Sequence, residues 1–233
     1  MAENFTILVG TVGQGIISSE DGGENWQRAG INSGLHSDAL VRTVVSHPQD
    51  PHKVFAGTEK GLYKSGNAGK DWKLVDSVLT NNCVWSLAID KSDPGTMYAG
   101  TGTPDPSSIF RSSDGGETWE ERPVEVAKEC PAVGVPRVTG IAIDPDNRQD
   151  IWVGFEVDGV RRSTNGGDTW EKVATSIPNL DVHNVAVSSG PPKTVVVVVN
   201  NDVYTSEDGG EECTAVGIKN VFPMTYPRGI LVK

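Results

Sequence analysis

An eight-residue motif recurs five times along this chain, and a repeat at a near-fixed period restricts the fold to an array of one small unit. It reads S-E-D-G-G-E-N-W from Ser19, S-G-N-A-G-K-D-W from Ser65, S-S-D-G-G-E-T-W from Ser112 and S-T-N-G-G-D-T-W from Ser163, with a worn fifth copy, S-E-D-G-G-E-E-C, from Ser206. From Asp21 through Asn67, Asp114 and Asn165 to Asp208 the steps are 46, 47, 51 and 43 residues. The second copy shows the whole unit. Val41 to Val45 is apolar, His47, Pro48 and Asp50 turn the chain, and Val54-Phe55-Ala56-Gly57-Thr58 follows. Gly61-Leu62-Tyr63-Lys64-Ser65 then runs into the motif, and Trp72-Lys73-Leu74-Val75 runs out of it. Four short apolar segments separated by Gly, Pro, Asn and Asp predict a four-stranded antiparallel meander. No segment keeps a 3.6-residue period over three turns, so helix is expected to be minor.

Within the motif each residue type has a local task. The Asp or Asn side chain accepts from backbone N–H groups further on and so mimics a turn. Gly23, Gly69, Gly116, Gly167 and Gly210 share a position where a positive φ suits glycine alone. The leading serine hydroxyl bonds to nearby backbone. Trp26, Trp72, Trp119 and Trp170 are expected to bury a ring at the start of the outer strand, with Cys213 as an apolar filler in the fifth copy.

These eight-residue motifs resemble Asp-box, or BNR, repeats, and G-L-Y-K-S-G-N-A-G-K-D-W from Gly61 is similar to the copies in xyloglucan-degrading glycoside hydrolases, sortilin-type receptors and a photosystem II assembly factor. Sialidases carry them too. The resemblance covers essentially the whole chain and implies an all-β propeller of four-stranded blades, with the boxes at the blade edge and away from the family's binding sites. One propeller domain over residues 1–233 is expected, with boxes at 19–26, 65–72, 112–119, 163–170 and 206–213. The first unit lacks an innermost strand, and Arg228 to Lys233 matches the missing one, as in Arg42-Thr43-Val44-Val45. Five blades result if that strand pairs with Thr6 to Gly10, which would remove two open edges. A truncated larger propeller is the alternative.

Aligning the innermost strands places Arg42, Trp85, Thr139, His183 and Arg228 at one register, with Leu40, Cys83, Arg137, Asp181 and Tyr226 two residues earlier. In a propeller such strand starts ring one mouth of the channel. Arg42, Trp85, Arg137, His183, Tyr226 and Arg228 are therefore the candidate binding residues, suited to an anionic or aromatic ligand because arginine clamps carboxylates in two-pronged fashion. The bland alternative pairs Arg42 and Arg228 with Asp38 and Asp181. Two irregular segments, 103–108 and 122–136, are long enough to carry function, and the second is expected near the mouth at Arg137.

The net charge of −11 excludes a general nucleic-acid binder, which needs a basic footprint, although eleven of the 31 acidic residues sit in the boxes. The boxes offer too few oxygen ligands to hold calcium, and no metal or cofactor is expected. Cys83, Cys130 and Cys213 show neither disulfide nor metal spacing. The start of the chain carries no secretory pattern and no apolar run spans a membrane, so a cytoplasmic monomer is expected, or a secreted one if a leader has been removed. The sialidase arginine motif near the N-terminus is absent, and no catalytic set can be assembled. A non-enzymatic scaffold that binds a protein, peptide or anionic ligand at the central mouth is the leading expectation, with a glycoside hydrolase of sialidase or xyloglucanase type as the alternative; the expected partner is a protein, peptide or carbohydrate.

Overall fold

The computed structural model describes residues 5–223 and 226–230, and its regular structure is almost entirely strand. Five antiparallel sheets follow one another in sequence. The first holds β1 (Ile7–Gly10), β2 (Ile16–Ser19) and β3 (Gln27–Arg28). The second holds β4 (Val41–His47), β5 (Asp50–Thr58), β6 (Gly61–Ser65) and β7 (Lys73–Leu74), and the third β8 (Val84–Ile89), β9 (Met97–Thr101), β10 (Ile109–Ser112) and β11 (Glu120–Arg122). The fourth holds β12 (Val138–Ile143), β13 (Ile151–Phe155), β14 (Gly159–Ser163) and β15 (Glu171–Val173), and the fifth β16 (Val182–Val187), β17 (Val195–Val199), β18 (Val203–Ser206) and β19 (Thr214–Ala215). Each sheet is a meander in sequence order, which makes it a propeller blade, and the chain is an all-β propeller of five such blades. Helix is confined to two single 3₁₀ turns among the described residues, and none of it is long and apolar enough to cross a membrane. By contacts the chain divides into two compact units, residues 1–97 with 112–119 and residues 98–111 with 120–233.

The first sheet has three strands among the described residues. Arg228 to Ile230 carry no strand ladder and residues 231–233 lie outside the described set, so the expected completion of this sheet by the C-terminal strand is not part of the described fold.

The second and outer strands show how adjacent sheets join inside each unit. Gly10 and Gly57 in the first unit, and Gly100 and Gly154 in the second, hold one position on the second strand. A Cβ at Gly10, Gly57 or Gly154 would come within 2.6 Å of Val41, 2.7 Å of Val84 and 2.6 Å of Val182, each the first residue of the next innermost strand. The missing side chain is what lets that strand approach. Two residues earlier stand Leu8, Phe55, Tyr98 and Trp152, and each meets the second glycine of the next box. A Cβ on Gly69, Gly116, Gly167 or Gly210 would lie 2.8 Å, 3.4 Å, 3.6 Å and 3.8 Å from them in turn. The boxes therefore turn the chain and also act as sockets for the neighbouring sheet.

The box turns form as their residue types dictate. Ser112 Oγ donates to Asp114 Oδ1 at 2.8 Å and accepts from Gly116 N at 2.9 Å, while Thr118 N donates to Asp114 Oδ1 at 3.0 Å. Asn67 and Asn165 accept the same bonds with neutral side chains. The second glycines have φ of 105°, 85°, 89°, 91° and 100° in chain order. The tryptophans divide. Trp72 and Trp119 are buried and donate from Nε1 to Gly69 O and Gly116 O at 2.9 and 3.1 Å. Trp26 is 46% exposed, correcting the expectation of burial, and the Trp170 indole N–H has no partner among the described residues. Cys213 is partly buried against the apolar cluster of the fifth sheet, and burial raises its thiol pKa.

Candidate functional site

The aligned register at the innermost strand starts has a structural cause. The ladders of β4 with β5, β12 with β13 and β16 with β17 each skip one residue: Arg42, Thr139 and His183. A bulge re-aims the extra side chain out of the pleat, and bulges gather where strands present functional groups. The sequence alignment thus found a bulge position without being able to identify it as one.

In the first unit Arg42 and Trp85 come together. The Arg42 guanidinium carbon sits 4.2 Å from the centre of the Trp85 ring, and both side chains are partly exposed. This cation–π stack replaces the expected alternative of an ion pair with Asp38, whose carboxylate instead meets His36 Nδ1 at 3.2 Å. Glu59 accepts from Leu40 N at 2.8 Å.

In the second unit His183, Tyr226 and Arg228 form one cluster. The His183 side chain is buried, with Nδ1 2.7 Å from Pro227 O and its ring edge-on to Tyr226 at 4.8 Å. Tyr226 is 54% exposed, and Arg228 lies over it at 4.8 Å while donating to its hydroxyl at 2.6 Å. Asp181, immediately before β16, accepts from Asn200 Nδ2 at 2.9 Å through Oδ2. Its Oδ1 is buried and 3.6 Å from His183 Nε2, too far for a hydrogen bond, so both atoms are unsatisfied among the described residues. Arg228 stacks on tyrosine and is not the partner of Asp181.

Arg137 behaves differently. Its Nη1 lies 2.5 Å from Oε2 of the buried Glu156, whose own backbone N donates to Arg137 O. A guanidinium committed to a buried carboxylate is held as structure, because removing either partner would strand the other's charge. Of the three arginines expected to clamp an anion, two lie flat on aromatic rings and one is neutralised. The two irregular segments also meet here: Thr103 Oγ1 donates to Val135 O at 2.6 Å, and Ser107 bonds Pro136 O. Further back in the longer segment, Ala127 N donates to Asp158 Oδ2, tying it to the β13–β14 tip. Nothing in the sequence signals Glu156 as the partner of Arg137, since the two are 19 residues apart. No cluster of metal-ligand type is present among the described residues.

The BNR/Asp-box repeat family model matches residues 110–121, which span the third box and the strands on either side. The chain is an Asp-box repeat protein. Among its sequence relatives, the xyloglucanase Xgh74A of Acetivibrio thermocellus is 32% identical over 214 residues, covering 71% of this chain and 25% of that protein. Among solved structures, an ancestral GH74 enzyme superposes with a TM-score of 0.73 at 21% identity, covering 91% of this chain and 29% of that one. YCF48 bound to D1 peptide matches with a TM-score of 0.54 at 15% identity, over 92% of this chain and 57% of that one. At those identities both structures speak for the fold alone. The Asp-box chain spans about a quarter of the length of the curated relatives it matches.

Proposed function

We propose that this Asp-box chain contributes the glycan-contacting surface of a polysaccharide-active protein of xyloglucanase type, with a neutral β-glucan as its ligand class. The observation that carries the reading is its 32% identity over 71% of the chain to a xyloglucanase, in company with other xyloglucanases among its relatives. This favours the carbohydrate alternative over the scaffold that the sequence alone made the leading expectation. The geometry supports it. Trp85 with Arg42, and Tyr226 with Arg228, each set an aromatic ring beside guanidinium N–H donors, a combination suited to a sugar's apolar C–H face and its hydroxyls. With Arg137 held by Glu156, the arginines that remain are each paired with an aromatic ring, which favours a neutral ligand over the anionic one first expected. Hydrolysis by the usual route needs two carboxylates flanking the scissile bond. Glu156 is committed to Arg137, and Asp181 beside His183 is the carboxylate of the second unit to test for proton transfer.

Electrophoresis through gels containing soluble xyloglucan tests this reading. The chain is expected to be retarded, and Trp85→Ala and Tyr226→Ala each to regain mobility. Unchanged mobility in xyloglucan would overturn the proposal. Retardation only by an acidic polymer such as polygalacturonate, weakening with salt, would return the reading to an anion-binding scaffold.

A further inference from the structure

The sockets between sheets are not equally filled. At the box after the third sheet, Arg111 lies over Tyr98, and its Nη1 sits 3.1 Å from where a Cβ on Gly166 would be. At the next box Arg162 lies over Trp152, and its Nη1 would be 2.8 Å from a Cβ on Gly209. In both sheets the outer strand continues the row with an acid, Glu120 beside Arg111 and Glu171 beside Arg162. Aromatic, arginine and glutamate thus run side by side, and the guanidinium plugs the joint.

The second sheet departs from this pattern. Its row is Phe55, Lys64 and Lys73, paired in that order across β5, β6 and β7. Lysine has no planar head to lie over the ring, and Lys64 reaches instead to Glu117 at the rim. Gly115, the counterpart of Gly166 and Gly209, has nothing within 4 Å of where its Cβ would be. The joint is left as a cavity of about 650 Å³ floored by Phe55, within the range of small-molecule sites. Lys53, Lys64 and Lys73 supply donors to its lining, and Asp71, Asp114 and Glu117 supply acceptors.

We infer that this open joint is a second glycan-binding site, taking a neutral pyranose segment at the blade edge. The balanced lining decides the ligand class. Three ammonium groups with three carboxylates make a poor trap for an anion or a cation, whereas sugar hydroxyls both donate and accept and so match a lining of mixed sign. Only the choice of glycan rests on the polysaccharide reading above; the cavity itself does not.

Amide NMR of the whole chain titrated with a xyloglucan heptasaccharide separates the two ideas. Shifts at Phe55 and Gly115 report the joint, and shifts at Trp85 and His183 report the strand starts. Both sets are expected to move. The double variant K64R/K73E recreates the row of the third and fourth sheets, so it should fold, plug the joint and abolish the Phe55 and Gly115 shifts while sparing the others. Movement at the strand starts alone overturns the second site and leaves the main reading standing. Movement at the joint alone does the reverse, and no movement anywhere overturns both. Joint shifts that persist in the double variant, or that trigalacturonate produces and the neutral sugar does not, also overturn the second site.

Discussion

At the first glycine of each box, Gly22, Gly115, Gly166 and Gly209 hold φ between 72° and 85°, and in the second box Ala68 is forced to 59°. An L-residue in this region is strained by about 1–2 kcal/mol, offset in part by the extra freedom glycine brings to the unfolded chain. Ala68→Gly is therefore expected to stabilise the protein by about 0.5–1 kcal/mol in urea denaturation. The box tryptophans supply a graded test. Trp119→Ala removes a buried ring and is expected to cost about 3–5 kcal/mol, whereas Trp26→Ala, at a largely exposed ring, should stay within about 1 kcal/mol. The box aspartates give a pH signature. Bonds from the Thr118 hydroxyl and backbone N, then from Ser112, hold Asp114 at about 2, below its ordinary 3.8. Asp21 and Asp208 are lowered too, the first chiefly by Asn25 N and the second by the Ser206 hydroxyl. A carboxylate with a depressed folded pKa contributes stability above its unfolded value, and that contribution is lost as pH falls through the folded one. The melting temperature should fall between pH 4 and pH 2, and Asp114→Asn, which copies the neutral second and fourth boxes, should flatten that fall.

At the scale of elements, the four-stranded meander was legible because strand-length apolar runs and turn residues alternate at a repeating interval. The outermost strands are the weak members, only two or three residues long, and they exist because the box fixes their direction. What periodicity could not reveal is the joint between sheets. The glycine in Ala-Gly-Thr and its counterparts reads as a strand breaker in isolation. In the fold it is the close-approach point: a Cβ at Gly57 would stand 2.7 Å from Val84 O and 2.7 Å from Thr43 Cγ2. Gly57→Ala is expected to cost about 1–3 kcal/mol, as overpacking against backbone does, while Gly30→Ala, with nothing within 4 Å, should be near neutral. Chemical denaturation of the two variants side by side checks the difference. The bulges at Arg42, Thr139 and His183 were likewise hidden, because a single extra residue leaves no mark in composition.

For the molecule as a whole, a glycan that binds only the folded chain must raise its melting temperature. At a hundredfold excess over Kd the gain is about 2.7 kcal/mol, or roughly 5–10 °C for a chain of this size. Differential scanning calorimetry with soluble xyloglucan is expected to show such a rise, smaller in Trp85→Ala. No rise at saturating glycan would count against glycan recognition at either site. The motif, its interval and its residue types determined by themselves that the chain folds into box-turned, four-stranded blades, because each box closes through bonds within a few residues of its own sequence. The alignment of repeats also put Arg42, Thr139 and His183 at one register, the position each ladder skips. Only the tertiary structure decided what the candidate site residues touch. Stacking of Arg42 on Trp85, neutralisation of Arg137 by Glu156 and the empty socket beside Phe55 all depend on partners outside the residue's own strand. A repeat fixes local geometry by short-range bonding, whereas charge pairing and cavity volume are set by which distant side chains the packed sheets bring into contact.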